Sequence, residues 1–96
     1  MYYDKDGSPL EMMDWAIKFD QPEYKRIAET SLPDGKWIST VWLGLDHSFG
    51  GGPALIFQTM VFSSKDSFTE LDTIRYSRLE EAKEGHKEAV ARFSTL

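Results

Sequence analysis

Apolar residues are concentrated in two segments near the middle of the chain, KWISTVWLGL and ALIFQTMVF, which are rich in β-branched and aromatic side chains. Side chains of these types favour strands. We therefore predict strands over residues 37–45 and 54–62, paired antiparallel across the loop that joins them. The earlier segment EYKRIAETSL alternates moderately and ends at the turn sequence PDG, so it is predicted to form a hairpin with the 37–45 strand. YYDKDG and LDTIRY are predicted to be shorter strands.

Two segments carry the start signals and the periodicity of helices. In the first, Ser8 is a candidate N-cap and Glu11 completes an S-x-x-E capping box. This helix is predicted to span residues 9–19, to end before the Gln-Pro pair at 21–22, and to bury one face made of Leu10, Met13, Ala16 and Ile17.

The second helical segment is SRLEEAKEGHKEAVARF, in which Ser77 and Glu80 repeat the capping pattern. One stripe of this helix is apolar and is predicted to face the core. It consists of Leu79, Ala82, His86, Val90 and Phe93. The element order β-α-β-β-β-β-α predicts a single domain, residues 1–96, of α+β class, with two helices against an antiparallel sheet of about four to five strands.

The two central strands place large apolar groups on both of their faces. Trp37 and Val41 point to one side, whereas Ile38 and Trp42 point to the other. A sheet covered on one face should instead alternate cleanly between apolar and polar residues. The second face therefore needs a cover, for which a partner subunit, a ligand and a target protein are candidates. Alternatively, the two helices divide between the two faces.

Composition narrows the function classes. The chain has no cysteine, which excludes disulfides, thiolate nucleophiles and Cys-type zinc sites. No signal peptide or long apolar run is present, so we expect a cytoplasmic protein without membrane contact. With 16 acidic and 11 basic residues the net charge is −5, which disfavours duplex nucleic acid as a partner. A small anionic ligand is still compatible with this charge, because a local pocket can override it.

The loop between the central strands, DHSFGGGP, concentrates the candidate chemistry. Asp46 beside His47 can orient an imidazole, but adjacent strand residues point to opposite faces, and the alternative is that Asp46 bonds backbone N–H groups and caps the loop. The glycines Gly50 and Gly51 can expose amides to an anion, or can simply supply conformational freedom. No segment combines a nucleophile, a base and an oxyanion donor, so we expect neither an enzyme nor a cofactor or metal site.

Aromatic and basic residues elsewhere offer further contacts. Arg26 and Arg75 lie in predicted strands, where each binds a phosphate or pairs with an acidic neighbour. Trp37 and Trp42 provide stacking surfaces or pack in the core. His86, on the apolar stripe of the second helix, is interpreted as a core histidine bonded to a backbone carbonyl.

The block WISTVWLGLDHSFGGGPALIFQTMVF, with MYYDKDGSPLEMMDWA before it and RYSRLEEAKEGHKEAV after it, resembles a family of small uncharacterised bacteriophage and actinobacterial proteins. The resemblance covers nearly the whole chain, and it implies an accessory phage product that acts in the host cytoplasm. The function we infer from it is anti-defence, by a sponge that sequesters a cyclic or ADP-ribose-derived signalling nucleotide. Its candidate contacts are Trp37, Thr40, Trp42, Asp46, His47, Gly50, Gly51, Arg26 and Arg75.

Two alternatives accompany this hypothesis. One is a protein-binding inhibitor of a bacterial immune effector, of anti-CRISPR type, whose acidic surface blocks a basic cleft. The other is a virion accessory protein. We expect a homo-oligomer, because a small domain with apolar groups on two sheet faces gains stability from a partner subunit.

Overall fold

The computed structural model describes residues 1–46, 52–67 and 69–94. These residues form an α+β fold, which confirms the predicted class, although the start of the chain holds an extra strand and an extra short helix. The elements in chain order are β1 (Tyr2–Tyr3), β2 (Pro9–Leu10), α1 (Met12–Phe19), α2 (Pro22–Lys25), β3 (Arg26–Ser31), β4 (Trp37–Trp42), β5 (Phe57–Phe62), β6 (Glu70–Tyr76) and α3 (Leu79–Ser94).

Strands β3, β4, β5 and β6 make one antiparallel sheet in chain order. The two predicted hairpins are confirmed: Ser31 pairs with Trp37 across the PDG turn, and Trp42 pairs with Phe57 across the glycine-rich loop. Strand β4 ends three residues earlier than predicted. The cause is Gly44, whose φ of +73° is incompatible with an extended strand.

The first helix begins at Met12, not at Pro9 as predicted. Pro9 and Leu10 instead form strand β2, which pairs antiparallel with β1. The predicted N-cap, Ser8, turns its hydroxyl to the Asp6 carboxylate at 2.6 Å. This Asx-type contact closes the preceding turn, so the capping box does not form at these residues.

The buried face of α1 also differs from the prediction. Met13 and Ile17 are 69% and 59% exposed. The opposite side carries Trp15 and Phe19, whose rings stack with centroids 4.8 Å apart. Trp15 also donates its indole N–H to the carbonyl of Leu43 at 2.8 Å. Two aromatic rings bury more apolar area than Met13 and Ile17 do, so they determine which side of this short helix faces inward.

A polar cluster fastens the start of the chain to the two short helices. The Lys18 ammonium of α1 and the Tyr24 hydroxyl of α2 both donate hydrogen bonds to the Asp4 carboxylate. Burial alone would raise the pKa of Asp4, but these bonds, with a further one from the Lys5 backbone, lower it below its usual value.

Helix α3 lies across one face of the sheet. Its predicted stripe is confirmed, since Ala82 and His86 are buried and Val90 and Phe93 pack against the core. The covered face of the sheet supplies Ile38 and Trp42 from β4 and Phe57, Thr59 and Val61 from β5, all fully buried. Helix α2 and the ring of Tyr24 pack beside Trp42 on this same face. Helices α2 and α3 therefore pack on the same face of the sheet, whereas α1 packs against α2 and β1.

Candidate functional site

The other face of the sheet, here named the open face, is made of the alternate strand positions. Strand register arranges these positions in three cross-strand rows. The arginine row lies at the end from which the glycine-rich loop leaves; it comprises Arg26, Val41, Gln58 and Arg75. The middle row comprises Glu29, Ser39, Met60 and Thr73. The aromatic row, at the far end, comprises Ser31, Trp37, Phe62 and Glu70.

The arginine row carries one guanidinium at each edge of the sheet. Arg26 forms an ion pair with Glu29 at 3.4 Å. Arg75 donates its Nε–H to Gln58 Oε1 at 3.1 Å, and no carboxylate in the described part of the chain lies within 4.0 Å of it. The sequence left two interpretations of Arg75 open, phosphate binding and an ion pair with a neighbouring acid. Among the described residues, Arg75 does not form this ion pair. An exposed guanidinium without a carboxylate partner can accept an external anion.

The aromatic row supplies a ring surface on the same face. Trp37 and Phe62 stack with centroids 5.5 Å apart, and both side chains are half-buried. At the edge of this row the Thr73 hydroxyl donates to Glu70 at 2.6 Å. The middle row lies between Trp37 and the arginine row, and the two row spacings add up to roughly 13 Å, since alternate strand residues repeat about every 6.6 Å.

Two of the predicted contacts lie on the covered face instead. Trp42 is 0% exposed and donates its indole N–H to the Tyr3 carbonyl at 3.0 Å, so it offers no ring face to a ligand. Thr40 is also 0% exposed and lies under helix α3. The physical reason is strand alternation, because residues 40 and 42 point away from residues 37 and 41. These two positions are therefore corrected to core positions.

Thr40 belongs to a buried polar cluster centred on His86. The imidazole bridges two threonines, with Nδ1 2.7 Å from Thr40 Oγ1 and Nε2 2.9 Å from Thr30 Oγ1. Thr40 Oγ1 lies a further 2.5 Å from Thr59 Oγ1. The predicted backbone-carbonyl partner of His86 is therefore wrong, because hydroxyls from β3 and β4 reach both ring nitrogens. Burial lowers the pKa of His86. Among the residues that the structure describes, no carboxylate bonds to this imidazole, so they do not supply the orienting acid of a catalytic triad.

Asp46 adopts the loop-capping role that was the alternative to catalysis. Its Oδ1 accepts the backbone N–H of Leu55 at 3.0 Å, which ties the two ends of the loop together. His47, Gly50 and Gly51 lie outside the described residues. Of the predicted site, the structure brings Arg26, Arg75 and Trp37 onto one face.

Sequence reasoning missed several residues of this surface. Gln58, which holds Arg75, and the pair Met60 and Phe62 were treated as strand residues without a role. Their signal is the two-residue alternation of QTMVF, which places them on the same side as Trp37 once the register is known. It also missed a second exposed apolar surface, on the outer side of α1, where Met12, Met13 and Ile17 are all more than half exposed.

Comparison with protein-family models, curated proteins and solved structures yields no match in any of the three searches. In the described residues, no group of three or more His, Cys, Asp or Glu side chains could hold a metal ion. Nor does any helix within this part of the chain have the length and apolar character needed to cross a bilayer.

Proposed function

We propose that this protein is a non-enzymatic binding protein of phage anti-defence type, which sequesters an immune signalling nucleotide on its open face. The observation that carries the proposal is the arginine row. In a chain of net charge −5, two arginines lie in one row at the end of the sheet where the glycine-rich loop leaves, and one of them has no carboxylate partner among the described residues.

The dimensions of the row suit a ligand with two separated phosphates. Four strands spaced about 4.8 Å apart put the backbones of Arg26 and Arg75 roughly 14 Å from each other. Both side chains are long enough to turn inward, and Gln58 between them supplies an amide for a polar edge of the ligand. A guanidinium binds a phosphate through two parallel hydrogen bonds, which gives each arginine geometric as well as electrostatic selectivity.

Native mass spectrometry of the protein purified from a bacterium with active nucleotide signalling is the direct test. A sponge retains a stoichiometric mass in the nucleotide range and releases it unchanged on denaturation. Titration of the ligand-free protein with cyclic dinucleotides and with ADP-ribose, followed by calorimetry, then gives the affinity. Release of a cleaved nucleotide would contradict the non-enzymatic proposal, and absence of binding to the whole panel would overturn the nucleotide proposal.

Matched arginine variants separate a specific contact from general electrostatics. Arg75→Gln removes the guanidinium that has no carboxylate partner among the described residues. We expect it to weaken nucleotide binding by about 10- to 100-fold, since charge-assisted hydrogen bonds are worth about 1.5–3 kcal/mol. Arg78→Gln makes the same change of charge at an exposed position outside the open face. Equal losses in the two variants would mean that only net charge matters.

A second candidate function is a protein-binding inhibitor, which is favoured by the exposed side of α1. There Met12, Met13 and Ile17 form an apolar patch with acidic neighbours Glu11 and Asp14. An acid-rimmed methionine surface fits a basic cleft on a target protein. Met13→Lys would abolish inhibition of such an effector while leaving nucleotide binding unchanged, so one variant distinguishes the two candidates.

A further inference from the structure

The open face carries four apolar side chains on its two central strands, here named the apolar strip. Trp37 and Phe62 stack on one another, whereas Val41 and Met60 lie in the other two rows, beside Gln58 and Ser39 respectively. None of these four side chains belongs to the two clusters of the core under α3. Each is only half-buried, by its neighbours within the sheet. An antiparallel sheet face that meets water is normally polar, so a strip of this composition indicates an interaction surface.

We propose that a second copy of this chain covers the open face, packing sheet against sheet about a two-fold axis that runs across the strands. Face-to-face sheets pack about 10 Å apart with interdigitating side chains, which suits the aromatic and aliphatic strip. The proposal concerns the protein without ligand and does not depend on the proposed function.

The charges of the open face select the direction of the axis. A two-fold axis along the strands would place Arg26 over the partner's Arg75, and would do so twice. An axis across the strands instead lays the arginine row over the partner's aromatic row, so that Arg75 faces the partner's Glu70 at both ends. Opposed like charges disfavour the first arrangement, and opposite charges favour the second.

The same axis also matches the apolar positions. Val41 then faces the partner's Trp37, and Met60 meets the partner's Met60 close to the axis itself. Glu29 faces the partner's Glu29 at the β3 edge, but Arg26 of its own chain neutralises it at 3.4 Å. A two-fold interface requires such a self-complementary surface, in which one patch supplies both halves of every contact.

The size of the face sets the expected strength. Four strands about 4.8 Å apart and six residues with a rise of about 3.3 Å each give a projected area of roughly 400 Å² per copy. Two copies together would bury roughly 800 Å², which is below the range of stable specific interfaces and belongs to weak, transient contacts. We therefore expect a reversible dimer with a dissociation constant in the micromolar range, not an obligate one.

Sedimentation equilibrium of the full chain, from micromolar to millimolar concentration, tests the proposal. The wild type should show a monomer–dimer equilibrium. Met60→Lys places two ammonium groups at the axis and should weaken the dimer at least tenfold, while circular dichroism shows an unchanged fold. Met13→Lys makes the same change on the exposed side of α1 and should have no effect. A monomer at every concentration, or a dimer lost only in Met13→Lys, overturns the proposal.

A charge swap tests the axis. Arg75→Glu and Glu70→Arg should each weaken the dimer by about tenfold, and the double variant should recover most of the loss. Failure of the double variant to recover would exclude the axis across the strands. A monomer that still binds nucleotides would contradict the proposed dimer but not the proposed function. A dimer that binds no nucleotide would contradict the proposed function but not the proposed dimer.

Discussion

Gly44 is the residue on which the junction between the sheet and the first helix depends. It has a φ of +73°, and a Cβ built there would lie 2.6 Å from the rings of both Trp15 and Trp42. The backbone conformation and the close approach of two indoles therefore require glycine for separate reasons.

Substitution of Gly44 by alanine should destabilise the protein by about 2–4 kcal/mol, because backbone strain adds to overpacking of the two rings. Gly35→Ala is the matched control, since Gly35 has a φ of +97° but no atom within 4 Å of its built Cβ. It should cost only about 1 kcal/mol. Urea unfolding of both variants measures the difference in free energy of unfolding. Equal destabilisation of the two variants would show that the indole rings move aside without an energetic penalty.

His86 couples stability to pH. Burial lowers its pKa below the usual 6.5, so in the folded protein the ring stays neutral at a pH where the unfolded chain already binds a proton. The contribution of His86 is thus complete above pH 6.5 and is lost as the pH falls from there through the folded pKa.

The melting temperature of the wild type should therefore fall between neutral pH and pH 5. The melting temperature of His86→Gln should fall by less over the same range. If His86→Gln retained the full pH dependence, His86 would not be its source; Asp4 would not be either, because its lowered pKa confines its effect to more acidic solution.

At the scale of elements, the sheet and α3 were predictable because their signals agree. The segments around Val41 and Met60 are rich in β-branched and aromatic residues and are bounded by turn signals, and the stripe through Ala82 and His86 has helical spacing over sixteen residues. The first helix was not predictable in this way. This helix has only eight residues, and within it the pairs Met13–Ile17 and Trp15–Phe19 have the same spacing of four. Which pair faces inward therefore depends on the residues elsewhere in the chain that pack against the helix.

The observed orientation of α1 gives a direct test. Ile17→Gln should change the free energy of unfolding by less than about 0.5 kcal/mol, because the side chain is 59% exposed. Phe19→Ala should cost about 2 kcal/mol or more, because its ring stacks on Trp15. Chemical denaturation of the two variants reports both values, and the reverse order would indicate the face predicted from sequence.

The candidate site was predictable only in part, for a reason that lies in strand geometry. Arg26, Arg75 and Trp37 were identified by residue type alone, and they share a face because the register brings them there. Trp42 and Thr40 have equally suitable chemistry but point inward. When a strand carries apolar residues on both faces, residue type alone does not show which face packs against the helix. About half of the candidate site residues on such a strand are therefore expected to be core residues.

For the whole molecule, the proposed ligand and the proposed second copy require the same surface. Arg75 cannot bind a phosphate and face the partner's Glu70 at once, so the two processes should compete. The apparent affinity for a nucleotide should fall as protein concentration rises through the dimer range, and Met60→Lys should remove this dependence. Calorimetric titration at two protein concentrations measures it, and a constant apparent affinity would show that ligand and dimer use different surfaces.

The placement of helices α2 and α3 on one side of the sheet has an evolutionary consequence. Along β4 and β5, neighbouring residues serve separate purposes: Thr40 and Thr59 hold the interior together, whereas Val41 and Met60 meet whatever lies outside. Single substitutions on the outer side can thus change what the molecule recognises without disturbing the packing that keeps it folded. A protein built this way can change its target one residue at a time, from a scaffold that stays constant.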